Sequence, residues 1–177
     1  SETGSVDFLT ETYYHSLACL MPGNEFELQA ARHQRETLRH FGIVSNVFRN
    51  TELIYNDQMG SRISKLGFKG TIIDGVDRLV GTIGPHHVFG HPACDLRLLA
   101  RNYRLSDDIA FRFSNRAWEQ WPLTAEKFAK WVTQINGNGF LCNLFFDYET
   151  LGEHQWAETG IFDFMRHLPG EVMRMSP

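Results

Sequence analysis

A chain of 177 residues, 42% hydrophobic and 13% aromatic, is long enough to bury one substantial core. Its 17 basic against 21 acidic residues, a net charge of −4, lack the basic excess of a nucleic-acid surface, and no apolar stretch nears the roughly 20 residues of a membrane helix. Three cysteines, Cys19, Cys94 and Cys142, are odd in number and widely spaced, which argues against a disulfide framework and fits a reducing, cytoplasmic setting.

Val6 to Tyr14 has strand composition and runs into His15 and Ser16. Pro22-Gly23-Asn24 is a turn, and Asn24 can cap a helix with Glu27 in the capping-box position. The spacing turns Phe26, Ala30, Ala31, Leu38 and Phe41 inward, stops the helix at Gly42, and leaves Glu27, Arg32, Arg35, Glu36 and Arg39 to solvent. A second strand, around Ile43 to Glu52, ends in Asn50-Thr51-Glu52 and completes a strand–helix–strand unit. Leu53 to Leu66 reads as a short helix, and Thr71-Ile72-Ile73 as a strand ending on Asp74. Arg78 to Pro92, punctuated by glycine and proline, is loop-like, and Leu96 to Arg101 is a further strand candidate. The alternation of Ile109 to Phe113, behind Asp107 and Asp108, fits either a strand or a helical turn.

Thr124 opens the clearest helix, with Phe128, Trp131, Val132 and Ile135 at helical spacing and Asn136-Gly137 closing it. The apolar run Phe140 to Phe146 then reads as a strand covered on both faces. Asp147, Glu149, Glu153 and His154 crowd its carboxyl end, where α/β proteins place their active sites. Ile161, Phe164, Met165 and Leu168 form a last amphipathic helix ahead of Pro169-Gly170. Such alternation of strand and helix indicates an α/β fold of barrel-like kind, with about five units visible against the eight of a standard barrel.

Two carboxylates stand out by position, Glu52 and Asp147, each at the end of a strand candidate. A pair of carboxylates across a cleft is the minimum equipment for cleaving a glycosidic bond; either one could instead cap a helix or hold an arginine. The loop His86-His87-Val88-Phe89-Gly90-His91-Pro92-Ala93-Cys94 offers zinc-type ligands but no standard ligand spacing, so neither a metal nor any other cofactor is expected. No Gly-x-Ser-x-Gly elbow and no glycine-rich phosphate loop occur, and Cys142 lies in an apolar run where thiols are inert.

The surroundings of those carboxylates carry a resemblance. V-F-R-N-T-E-L-I-Y-N-D (Val47 to Asp57) and F-F-D-Y-E-T-L-G-E-H-Q-W (Phe145 to Trp156) resemble two signature regions of glycoside hydrolase family 57, close to its α-amylase branch. E-T-Y-Y-H-S (Glu11 to Ser16) and R-N-Y-R-L-S-D-D-I-A-F-R-F-S (Arg101 to Ser114) are similar to further stretches of the same group. The resemblance implies a retaining α-glucan hydrolase on an incomplete (β/α)7 barrel of parallel strands, with Glu52 as nucleophile and Asp147 as acid/base. The family's opening His-Gln-Pro strand, its last signature region and its C-terminal helical part have no counterpart here, and Leu151 stands where an aromatic is usual. Residues 1–177 are thus expected to form a single partial catalytic-barrel domain, the central segment of a larger enzyme, with exposed edges that favour self-association.

On that assignment Asp147 needs burial or a neighbouring negative charge to keep its proton; Phe145, Phe146 and Tyr148 would supply the apolar setting, and Glu149 would share its side of the strand. His15, Asn50, Asp108 and His154 are candidates for binding the hydroxyls of an α-glucan. Within the family a 4-α-glucanotransferase or branching activity fits the same residues. A non-catalytic carbohydrate-binding fragment is the competing reading from another class, and a metal-dependent deacetylase the weakest.

Overall fold

The computed structural model describes residues 4–176. They form two compact units: residues up to 74 with 88–100, and residues 75–87 with those from 101 onward.

The first unit is built on helix α1 (Glu25–Phe41), strand β1 (Val47–Arg49), helix α2 (Asp57–Lys65), strand β2 (Gly70–Asp74) and strands β3 (Val88–Gly90) and β4 (Arg97–Arg101, its last residue belonging to the second unit). The four strands make one sheet in the order β1-β2-β4-β3. β1 and β2 pair in parallel, Val47 opposite Gly70 and Arg49 opposite Ile72, with α2 as the crossover. The Arg97 N–H bonds the Lys69 carbonyl at 2.9 Å and seats the start of β4 beside the start of β2, while β3 runs antiparallel to β4. Thr10 adds one parallel bridge to Phe48, so Val6 to Tyr14 contributes a single rung where its composition predicted a strand.

The core of this unit is aromatic. Phe48, fully buried, lies 5.3 Å from Phe26 of α1 and 5.2 Å from Phe68, ring centre to ring centre, with Ile63, Leu96 and Ala100 buried too. α1 ends as expected, Gly42 taking φ 69° and donating to the Leu38 carbonyl at 2.9 Å. Its buried face, however, runs through Phe26, Gln29, Ala30 and Thr37. Leu38 and Phe41 fall off that stripe and are 49% and 57% exposed, Phe41 stacking on Phe8 at 4.1 Å. Glu27 makes no capping box. Its carboxylate instead receives both forks of Arg62 on α2, each at 2.9 Å, a bidentate pair worth more to it than one amide.

The second unit contains α3 (Asp77–Val80), α4 (Tyr103–Asp107), a π turn (Asp108–Arg112) that continues α4, α5 (Ala125–Thr133) and α6 (Ile161–Met175). The stretch Ile109 to Phe113 is therefore helical. α5 starts where expected, the Thr124 hydroxyl accepting from the Lys127 N–H at 3.2 Å. Ile109, Phe113, Leu123, Phe128, Ala129, Ile161, Phe164 and Leu168 form one buried cluster. Phe164 sits 5.1 Å from Phe113 and 5.7 Å from Phe128 in edge-to-face contacts. α6 does not stop at Pro169: its apolar stripe continues through Val172 and Met175 onto the same core, and that burial outweighs the one hydrogen bond the proline removes.

The run Phe140 to Phe146 is not a buried strand. It makes a single parallel bridge, Asn143 to Arg101, and Phe140 is 88% exposed. Its polar backbone meets scattered partners in place of a regular ladder: the His86 carbonyl accepts from the Phe140 N–H at 2.8 Å, the Asn102 N–H donates to the Asn143 carbonyl at 2.8 Å, the Ser106 hydroxyl accepts from the Phe145 N–H at 3.0 Å, and the Arg101 guanidinium donates to the Phe145 carbonyl at 2.7 Å. Leu144 and Phe146 alone turn toward the core. Among the described residues no helix is long and apolar enough to cross a membrane.

Candidate active site

In the first unit, β1 delivers the chain to Asn50 and then into a tight turn, Thr51–Leu53. Both flanks of that turn are pinned. Thr51 is 2% exposed with its hydroxyl 2.8 Å from that of Thr12, and Asn50, 1% exposed, donates its side-chain amide to the Ile54 carbonyl at 2.8 Å. Between them Glu52 takes φ 53° and ψ 24°, and Leu53 φ 55°, left-handed values that cost a residue with a Cβ about 1–2 kcal/mol each. The anchored neighbours force the strain, and its effect is to push the Glu52 carboxylate outward, 70% exposed, at the carboxyl end of β1.

That carboxylate is not left alone. His15, itself at φ 49°, places Nε2 3.0 Å from Glu52 Oε1. Behind His15 stand Arg49 and Glu11: Arg49 Nη1 is 3.2 Å from His15 Nδ1 and 3.0 Å from Glu11 Oε2. The structure thus brings together His15 and Glu52, and seats Asn50 under the same turn as the residue that closes it. Arg49 and Glu11, which complete the cluster, were not singled out by position in the sequence, although Arg49 lies three residues before Glu52 and Glu11 four before His15.

In the second unit, Asp147 follows the bridged segment and begins a short turn, Tyr148–Thr150, its carbonyl accepting from the Thr150 N–H at 3.0 Å. The loop folds back on itself, the His154 N–H donating to the Glu149 carbonyl at 3.0 Å, so Asp147, Glu149 and His154 share one loop and are all exposed. Gln155, 3% exposed, anchors this loop by donating to the Ala110 carbonyl at 3.0 Å. That acceptor belongs to the π turn, whose irregular backbone leaves carbonyls available outside the helical ladder. Gln155 is a third residue, after Arg49 and Glu11, whose role no sequence pattern marks.

Asp108 opens the π turn, bonded to Arg112 at 2.7 Å; burial pushes its carboxyl above the ordinary range, with Arg112 opposing. Phe146 packs on the core, and Tyr148 is 89% exposed, so within this unit Tyr148 does not enclose Asp147. Leu151, in place of an aromatic, packs partly buried against the same core. Trp156, 64% exposed, and Tyr148 leave two aromatic faces open on the Asp147 loop. His91 in the histidine-rich loop is engaged on both ring nitrogens, with the Asp57 carbonyl at 2.8 Å and the Ala93 N–H at 3.0 Å. Among the described residues no three His, Cys, Asp or Glu side chains converge as a metal ion would require.

With this geometry in place, comparison with known proteins is informative. The family model described as Glycosyl hydrolase family 57 matches residues 1–176. A protein of Methanocaldococcus jannaschii named "Putative alpha-amylase" is 44% identical over 174 residues, which cover 98% of this chain and 37% of that relative. The chain thus spans little more than a third of the length of the curated relative it matches.

Proposed function

The chain belongs to glycosyl hydrolase family 57, a family of glycoside hydrolases, and from that premise we propose that it carries the reaction centre of a retaining α-1,4-glucan hydrolase. Glu52 is the nucleophile and Asp147 the acid/base, and the fold we propose is an incomplete (β/α)7 barrel, a reading the parallel β1–β2 pair with its α2 crossover supports. The observation that carries the reading is Glu52 itself: an exposed carboxylate, on strained backbone at the end of a parallel strand, with His15 Nε2 3.0 Å from Oε1. Strain of that kind is retained where function requires it.

The chemistry follows from two carboxyl groups in different protonation states. Ionised Glu52 attacks the anomeric carbon while Asp147 gives its proton to the leaving glycosidic oxygen, so the C–O bond breaks as the glycosyl ester forms. Asp147, now ionised, takes a proton from water; that oxygen attacks the same carbon and releases Glu52. Tyr148 and Trp156 offer the open aromatic faces on which sugar rings stack, and Asp108 and His154 polar groups for hydroxyls, while His15 has both ring nitrogens turned to Glu52 and Arg49. The substrate is a neutral polymer, consistent with a chain of only −4 net charge, and exposed sheet edges lend themselves to self-association.

A 5-fluoro-α-glucosyl fluoride, which forms the ester faster than it is hydrolysed, tests the assignment. Intact-mass analysis is expected to show one added glycosyl group, and peptide mapping to place it on Glu52. Turnover of amylose with the label on any other residue overturns the nucleophile. Neither turnover nor label, together with retained glucan binding, leaves a carbohydrate-binding module in place of an enzyme.

A further inference from the structure

The group that faces Glu52 is an imidazole, and an imidazole has two neutral forms with opposite consequences. With the proton on Nε2, His15 donates to the carboxylate; with the proton on Nδ1, it turns a lone pair toward a negative oxygen 3.0 Å away. We propose that Arg49 is a positioning residue that selects the first form. The proposal rests on Glu52 being the nucleophile for its catalytic meaning, but not for its geometry.

Arg49 is the last residue of β1, and its side chain is only 11% exposed. Glu11 Oε2, 3.0 Å from Nη1, holds the guanidinium against the strand end. The same Nη1 lies 3.2 Å from His15 Nδ1. A guanidinium has only donors and keeps its protons throughout the working pH range, so the shared proton belongs to Arg49 and Nδ1 accepts it. A neutral ring with Nδ1 accepting carries its hydrogen on Nε2, where it meets Glu52 Oε1. The other tautomer would set N–H against N–H at Arg49 and lone pair against carboxylate at Glu52, two unfavourable contacts at once. Glu11 Oε2, at 3.6 Å from Nδ1, is too distant to reverse this choice by accepting a hydrogen bond there.

The line Glu11–Arg49–His15–Glu52 therefore ties one carboxylate oxygen, Oε1, to a fixed donor and leaves Oε2 for the substrate. Left-handed backbone at both His15 and Glu52 means that neither end of the 3.0 Å bond is set by a free side chain alone.

Long-range proton–nitrogen correlation spectra of the uniformly nitrogen-15-labelled protein at pH 8, above the ordinary histidine range of about 6.5, report the tautomer directly. The wild type is expected to give the Nε2–H pattern for His15. Arg49→Met is expected to convert it to a mixture and to lower kcat on amylose by about 10–100-fold with KM little changed, the usual penalty for losing a residue that orients a reacting group. Arg49→Lys, which keeps a charged donor at the strand end, is expected to restore most of both. An Nδ1–H pattern in the wild type overturns the proposal, as does an unchanged Nε2–H pattern in folded Arg49→Met; where Arg49→Met does not fold, the double variant Glu11→Gln/Arg49→Met, which leaves no unpaired carboxylate at the strand end, is read in its place. The spectra need no substrate, so an Arg49-dependent Nε2–H form in a protein that cleaves no glucan removes the hydrolase reading and leaves this one standing.

Discussion

His15 Nε2 lies 3.0 Å from Glu52 Oε1, and the two residues share left-handed backbone, with φ of 49° and 53°. Glycine alone adopts that conformation freely, so residue 52 should invert the usual order of substitution. Glu52→Gly is expected to be more stable than Glu52→Ala by about 1 kcal/mol in urea unfolding, whereas inside a helix alanine wins by a similar amount. On the proposed assignment both variants are expected to lose turnover. If alanine proves the more stable, the turn at residue 52 is not strained and function has not been favoured there over stability.

Asp147→Asn separates the two halves of the proposed reaction. Natural α-1,4-glucan, with a poor leaving group, needs the proton and should lose on the order of 10²–10⁴-fold in kcat/KM. An activated aryl α-maltoside keeps its first step, so a glycosyl-enzyme should accumulate and azide, attacking that ester from the vacated Asp147 side, should restore turnover and give the α-glycosyl azide. Wild-type behaviour on amylose would transfer the acid/base role to Glu149, two residues on in the same turn.

The Arg62 fork holds the Glu27 carboxyl below its ordinary range. A carboxyl with a lowered folded-state pKa contributes stability that is fully present above the unfolded value, near 4.3, and is lost as pH falls through the folded one. With both side chains about a third exposed, screening limits the contribution to about 1 kcal/mol. Glu27→Gln should therefore unfold at lower urea than wild type at pH 7, and the gap should close as the pH drops below about 4. A gap that widens in acid would contradict the sign of the shift.

Burial pushes the Cys142 thiol up to about 11, with a hydrogen bond from Asn102 acting the other way. Against an ordinary thiol near 8.5, the thiolate fraction at pH 7.5 falls by about 10²–10³-fold. Iodoacetamide at that pH is expected to leave Cys142 unmodified in the folded protein and to alkylate it after urea unfolding. Rapid alkylation without denaturant would show that the segment ahead of Asp147 opens in the native state.

The longer helices α1, α2, α5 and α6 were readable because each meets its signals locally, whereas the short α3 and α4 were not. Thr124 caps α5 and Gly42 closes α1 with residues adjacent in sequence, and helical spacing marked Phe128 and Phe164 as inward before any contact was known. Glu27 shows where local reading fails. Three residues from an N-cap it looks like half of a capping box, but Arg62, remote in sequence and near in space, offers two charge-assisted bonds to the one backbone amide. Phe140 to Phe146 fails for a related reason. Apolar composition reports that a segment avoids water, not whether a partner strand is present, and here the backbone of His86 and Asn102 and the side chains of Ser106 and Arg101 take backbone groups that a ladder would have used.

By itself the sequence determined the family and the α/β class and singled out Glu52 and Asp147 as candidates, because motif residues keep their order and type wherever the chain goes. Only the tertiary structure decided what stands around Glu52. Nothing in the string Asn50-Thr51-Glu52-Leu53 announces two consecutive residues with positive φ, since neither is glycine. The conformation is imposed by the buried Thr12–Thr51 contact on one side and the Asn50–Ile54 bond on the other. Likewise the choice between two histidine tautomers depends on an arginine donor 3.2 Å away, and a separation of that kind exists only once strand β1 and residues 11–15 have folded side by side.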